Sequence, residues 1–225
     1  MNRFLYFFFS LLSCLNILAQ NDITKFMGIP VDGTEKEMIK NLKAKGFKYS
    51  RVDSKPLLKG RFNGVDVDIF ISTEKGKVAR IIICDQVRFN EGDIKLRFNE
   101  LCKQFENNEN YVALDKFVIP EEEDISYEIL VNSKRFEAVY YQLPEKDVFK
   151  DISSNIIDDI TYNIQSKYST PSEEMEKEIE DTYCYRIAEM IRHKVVWFMI
   201  SESYDKYYIT MFYDNELNRA HGEEL

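Results

Sequence analysis

Apolar positions along the chain recur in blocks of two kinds, one spaced at three and four residues and one at two, and the order of these blocks predicts the elements. Thr34-Glu35-Lys36-Glu37 has the form of a capping box, in which hydroxyl and carboxylate satisfy amides at a helix start. Met38, Ile39 and Leu42 give that helix an apolar stripe as far as Lys45, and Gly46 stands where a left-handed residue ends it. From Leu57 the period falls to two. Val65, Val67, Ile69 and Ile71 alternate with Asp66, Asp68, Phe70 and Ser72, and Asn63-Gly64 is a strong hairpin signal. A two-residue turn there sets Phe62 opposite Val65, Arg61 opposite Asp66, Gly60 opposite Val67 and Lys59 opposite Asp68. The charges then form a solvated cross-strand ladder, and a third strand, Val78 to Cys84, follows the turn at Lys75-Gly76.

Helical spacing returns from Asp93 to Asn107, with Ile94, Phe98, Leu101, Cys102 and Phe105 on one stripe. A second hairpin is expected next, Ile125, Tyr127, Ile129 and Val131 matched by Phe136, Ala138 and Tyr140 across a turn near Ser133-Lys134. Phe149, Ile152, Ile156, Ile160 and Ile164 predict a third helix. Met175, Ile179, Tyr183, Ile187 and Ile191 keep a spacing of four, whereas Tyr183-Cys184-Tyr185 has strand character, so 172–193 is left open between the two. The chain then gives apolar strands at Val195 to Ile200 and Tyr207 to Tyr213; both faces are apolar, as in central strands. Helix followed by strands, three times over and without strand-helix-strand alternation, predicts an α+β fold of antiparallel sheets with helices packed on them.

The first nineteen residues change the picture of where this fold works. Arg3 precedes an apolar run of about fifteen residues, Phe4 to Leu18, short of the roughly twenty that a spanning helix needs. This reads as an export signal (1–19) cleaved after Ala19, which implies a periplasmic or secreted product. Leu11-Leu12-Ser13-Cys14 offers a second reading, a lipobox with a lipid anchor at Cys14; the apolar Leu15 to Ala19 behind it disfavours that. The remaining region, 20–225, is long enough for one domain or for two subdomains of about 20–110 and 111–225. The formal net charge of −9 becomes −10 when Arg3 leaves with the signal, which argues against nucleic acid or an anionic membrane surface as partner.

Candidate chemistry is sparse. The two histidines are His193, entering an apolar strand between Arg192 and Lys194, and His221, near the C-terminus, and neither context marks a catalytic base. Cys84 and Cys102 fall on apolar faces; Cys184, beside Arg186, is the remaining candidate for a reactive thiol. No paired Cys or His spacing suits zinc, and Glu121 to Asp124 and Asp214 to Asn218 lack the calcium-loop pattern, so no metal or cofactor is expected. No glycine-rich phosphate loop occurs.

The stretch Phe26-Met27-Gly28-Ile29-Pro30-Val31-Asp32-Gly33-Thr34, with the amphipathic helix and Lys45-Gly46-Phe47, resembles the opening of a family of exported proteins of unknown function common in anaerobic gut bacteria. Tyr213-Asp214-Asn215 with Asn218 and Gly222-Glu223-Glu224-Leu225 is similar to that group's endings. The resemblance implies no activity and carries over no catalytic residue. The Gly-Thr helix start followed by antiparallel strands also looks like small periplasmic modules of the outer-membrane assembly lipoprotein and β-lactamase-inhibitor type, which would imply a protein-binding surface on a sheet. Two functions remain as expectations: a non-enzymatic module that binds a protein or peptide in the envelope or outside the cell, and an extracytoplasmic hydrolase built from scattered carboxylates. A structural envelope protein is a third.

Overall fold

The structure is a computed structural model and describes residues 22–52, 55–168 and 170–219. The expected signal, Cys14, His221 and the closing Gly222 to Leu225 lie outside the described residues. The chain forms two compact units: a sheet unit of Thr24–Gln142 with His193–Leu225, and a helical unit built on Leu143–Arg192.

In the sheet unit, α1 (Glu35–Ala44) is followed by β3 (Lys48–Val52), β4 (Lys55–Phe62), β5 (Val65–Glu74) and β6 (Lys77–Asp85). A second run follows: α2 (Glu91–Glu106), β7 (Tyr111–Val112), α3 (Ile125–Leu130), β8 (Glu137–Gln142), β9 (Val195–Ser203) and β10 (Lys206–Asp214). The eight strands form one antiparallel sheet in the order β3-β4-β5-β6-β10-β9-β8-β7, so strands from both sides of residue 110 share it through β6 and β10. A separate two-stranded ribbon, β1 (Lys25–Phe26) and β2 (Ile29–Pro30), precedes α1. The fold is thus α+β. The strand order has a symmetry that the sequence does not show: each half is a helix and four strands in meander order. The α1 helix packs on β5 and β6, α2 packs on the corresponding β9 and β10, and the antiparallel β6–β10 pair lies at the two-fold centre.

Local chemistry explains the elements. Thr34 and Glu37 close the capping box, the Glu37 amide donating to Thr34 Oγ1 at 3.3 Å and the Thr34 amide to Glu37 Oε2 at 2.9 Å, and Gly46 takes φ +98° after the helix. The bonds that the Thr34 amide and hydroxyl donate to it hold the Glu37 carboxyl below its ordinary pKa. The Asn63-Gly64 turn has φ +47° and +83°, and the register is the expected one, Arg61 opposite Asp66 and Lys59 opposite Asp68. Lys59 lies 3.9 Å from Asp68, while Arg61 donates instead to the Gly64 carbonyl. At Gly60 a Cβ would stand 2.3 Å from the Phe47 ring, so the glycine lets that buried side chain cross the strand.

One expectation is corrected. Ile125 to Val131 is not the first strand of a hairpin but the short helix α3 and its end, and β8 pairs with β9, Ala138 opposite Phe198. Asp124 caps α3 by accepting from the Tyr127 amide at 2.8 Å, and helical spacing turns Ile125 and Ile129 inward while Tyr127, Leu130 and Val131 face solvent. Period two instead places Tyr127 and Val131 on the buried face, where helical geometry turns them out.

The core lies between one sheet face and α1, α2 and α3. Val67, Ile69, Ile81, Ile83, Val196, Phe198, Ile209 and Met211 project to it from the central strands. Phe198 is the hub of a ring cluster with Phe98, Phe105 and Tyr140.

The helical unit pairs α4 (Lys146–Gln165) with α5 (Glu173–Ile191), so the stretch left open is helix from Glu173 to Ile191. Ser172 caps α5 by accepting from the Met175 amide at 3.2 Å. Ile156, Ile160 and Ile164 pack against Met175, Ile179 and Tyr183, the spacing of four outweighing the aromatic strand tendency. Among the described residues no helix is long and apolar enough to cross a membrane.

Candidate functional site

Among the described residues no helix of the sheet unit packs on the sheet's second face, and that face presents a row of side chains that runs straight across five strands. Register places Phe70, Ile82, Phe212, Trp197 and Val139 side by side on β5, β6, β10, β9 and β8, all half-buried. The next row, Asp68, Cys84, Thr210, Met199 and Glu137, is polar at both ends. Such a face is apolar at its centre and charged at its rim, the composition of a protein-binding patch.

The centre is held rigid. Trp197 and Phe212 stack with ring centroids 4.0 Å apart and planes at 15°, and the Arg80 guanidinium lies 5.6 Å and 5.0 Å from their centroids. Arg80 forms a two-pronged pair with Asp214, Nη2 reaching Oδ2 at 2.7 Å, and Trp197 Nε1 donates to the same carboxylate at 2.9 Å. Arg219 stands 3.5 Å away, and the Asp214 side chain is almost fully buried. The sequence hinted at this cluster only through Arg80, a cation set between apolar Ala79 and Ile81 in the middle of its strand.

Asp214 also ties the unit shut. Its carbonyl accepts from the Thr24 hydroxyl, Asn215 Nδ2 donates to the Val31 carbonyl at 2.8 Å, and Asn218 Nδ2 donates to Asp32 Oδ1 at 2.8 Å and to the Val78 carbonyl at 2.9 Å. The stretches Phe26 to Thr34 and Tyr213 to Asn218, the most distinctive in the sequence, therefore meet in space as a structural closure.

Within the sheet unit the described candidates, His193, Cys84 and Cys102, lie on separate elements. His193 is half-buried at the entry to β9, and its carbonyl accepts from the Glu216 amide. Burial pushes the Cys84 thiol above its ordinary pKa and the Cys102 thiol up to about 11, which disfavours thiolate at neutral pH. Cys184 is exposed on α5, but Arg186 is engaged with Asp159 at 2.9 Å. Titration of the chain from Gln20 onward with an aromatic disulfide at pH 8 is expected to label Cys184 fast and half-buried Cys84 more slowly, with Cys102 reacting only in denaturant. Equal rates for all three thiols would contradict their placement.

The carboxylates nearest the core and α3 are likewise engaged. Asp85, whose pKa burial raises against the pull of neighbouring Arg97 and Arg88, accepts from Arg97 at 3.2 Å. Glu91 accepts from the Ile125 amide and the Ser126 hydroxyl, and Asp124 caps α3. Glu123 pairs with Lys134 at the mouth of a shallow cavity of about 200 Å³ between Phe98, Phe117 and Phe136. Among the described residues no three His, Cys, Asp or Glu side chains are grouped to hold a metal ion. Compared with protein-family models, curated proteins and solved structures, the chain matches none.

Proposed function

We propose that the protein is an exported, non-enzymatic module that binds a protein or peptide partner in the cell envelope or outside the cell, and that it receives this partner on the second face of the eight-stranded sheet. The observation that carries this reading is the row Phe70, Ile82, Phe212, Trp197 and Val139, a continuous apolar track on strands braced by the Arg80–Asp214 pair. A preformed, rigid surface with an aromatic centre loses little entropy on docking and suits recognition of another polypeptide. Trp197 is the chain's single tryptophan, so its emission reports on the middle of the track. A photoreactive residue placed at Ile82 or Val139 in the producing cells is expected to give a discrete adduct with one partner, and the same residue at exposed Lys36 on α1 is not. Adducts at neither track position, or turnover of peptide, glycan or ester substrates by the purified protein, would overturn the reading.

A further inference from the structure

The sheet has two unlike ends. At one, β7 is only two residues long; at the other, β3 runs for five, Lys48 to Val52, four of them exposed. The hydrogen-bond phase of β3 follows from its neighbours. The two-residue turn at Asn63-Gly64 makes Phe62 and Val65 a bonded pair, so Leu58 and Gly60 also turn their backbone groups to β5, leaving Leu57 and Lys59 to bond with β3. Pro56 agrees, since it has no N–H to exchange with its opposite residue, Arg51. Ser50 and Lys48 are therefore bonded to β4, and the N–H and C=O groups of Tyr49 and Arg51 point outward from the sheet.

That edge lies in the one strongly basic stretch of an acidic chain. Residues 40–61 hold eight Lys and Arg against a single acid, Asp53, in a protein of net charge −9. Lys48 and Lys59 stand opposite each other on one face of the β3–β4 pair, while Arg51, whose Nε donates to Tyr49 Oη at 2.9 Å, stands on the other. Lys43 and Lys45 close the end of α1 just before β3. Within this stretch Lys59 pairs with Asp68 at 3.9 Å, and Lys40 lies near the Glu37 carboxylate on α1.

We propose that β3 is an acceptor edge, to which an acidic polypeptide segment in extended conformation adds as a ninth strand, its backbone pairing with Tyr49 and Arg51 and its carboxylates meeting Lys48, Arg51 and the lysines beside them. A second copy of this chain would set Lys48 and Arg51 against their own kind, so self-pairing is opposed by the same charges that favour an acidic partner. Strand addition draws affinity from main-chain bonds and selectivity from alternate side chains. This site shares no residue with the apolar track and stands or falls separately from it.

The test uses the chain from Gln20 onward and a fluorescent peptide of about ten residues in Glu-Glu-Thr-Thr repeats, which sets carboxylates on both faces of an added strand, with binding followed by anisotropy. Saturable binding that weakens with salt is expected, with the corresponding lysine and threonine peptide inert. The Lys48→Glu, Arg51→Glu double variant should bind the acidic peptide about tenfold or more weakly, whereas Lys150→Glu on α4 should leave it unchanged. The same peptide N-methylated at alternate amides should lose binding with no change to the protein at all. Equal binding of the methylated peptide would overturn the proposal, because the backbone would then play no part. Absence of binding would also overturn it and leave Lys48 and Arg51 as guards against edge pairing, and so would concentration-dependent self-association abolished by Tyr49→Pro.

Discussion

Phe198→Ala is expected to destabilise the sheet unit by about 3–5 kcal/mol, the largest effect of any single truncation in the protein. Phe198 has no exposed surface, and its ring lies 5.1 Å from that of Phe98, 5.8 Å from Phe105 and 6.1 Å from Tyr140. Its partners sit on α2 and β8, so no single backbone shift can refill the space that the ring leaves. Urea unfolding should show a lower midpoint with an unchanged slope, since the surface exposed on unfolding is nearly the same. The comparison is Phe212→Ala, an aromatic truncation on the neighbouring strand but on the half-buried face, for which a clearly smaller loss is expected. Equal losses would mean that the second face is as tightly packed as the first.

Asp214→Ala is the second large effect, about 3 kcal/mol, at the lower end for breaking a buried ion pair because the Arg80 side chain keeps 23% of its surface in solvent. Alanine strips the carboxylate partner from Arg80, one of two from Arg219, which keeps Glu216, and the acceptor from the Trp197 N–H at once. Asp214→Asn keeps an acceptor for the indole while removing the charge, so it separates the two contributions. Tryptophan emission should shift in the alanine variant and stay close to the parent in the asparagine variant. An alanine variant with parental stability would show that the two arginines find solvent or other partners without loss.

What the sequence conveyed and what it withheld divide along a physical line. Wherever one local signal dominated, it was legible: Thr34 and Glu37 for the first helix, Asn63-Gly64 for a hairpin whose whole register follows from its turn. Ile125 to Val131 misled because residues two and four apart are both apolar there, and only the Asp124 cap selects the helix. In Tyr183-Cys184-Tyr185 the competition ran the other way, and pairing with α4 decided it. The Arg80–Asp214–Trp197 cluster was legible only as a cation, Arg80, set among apolar residues, since Arg80 and Asp214 are 134 residues apart and meet only because β6 and β10 are neighbours at the sheet's centre. No periodicity encodes which strand lies beside which.

The two halves of the sheet unit differ in how their middle strands are joined, and this sets an order for folding. In the first half β4 and β5 are linked by two residues, so β3 to β6 assemble from short hairpins alone. In the second, β8 and β9 are separated by about fifty residues, and closing so long a loop costs about 3 kcal/mol more than closing a tight turn. The antiparallel α4 and α5 hairpin lowers that cost once formed, because it brings the two ends of the excursion back together. The first half is then the early partner and the second the late one, and proteins dominated by such distant pairings fold slowly. Variants that melt the α4–α5 hairpin should slow refolding of the sheet more than they speed its unfolding, although they touch none of its strands.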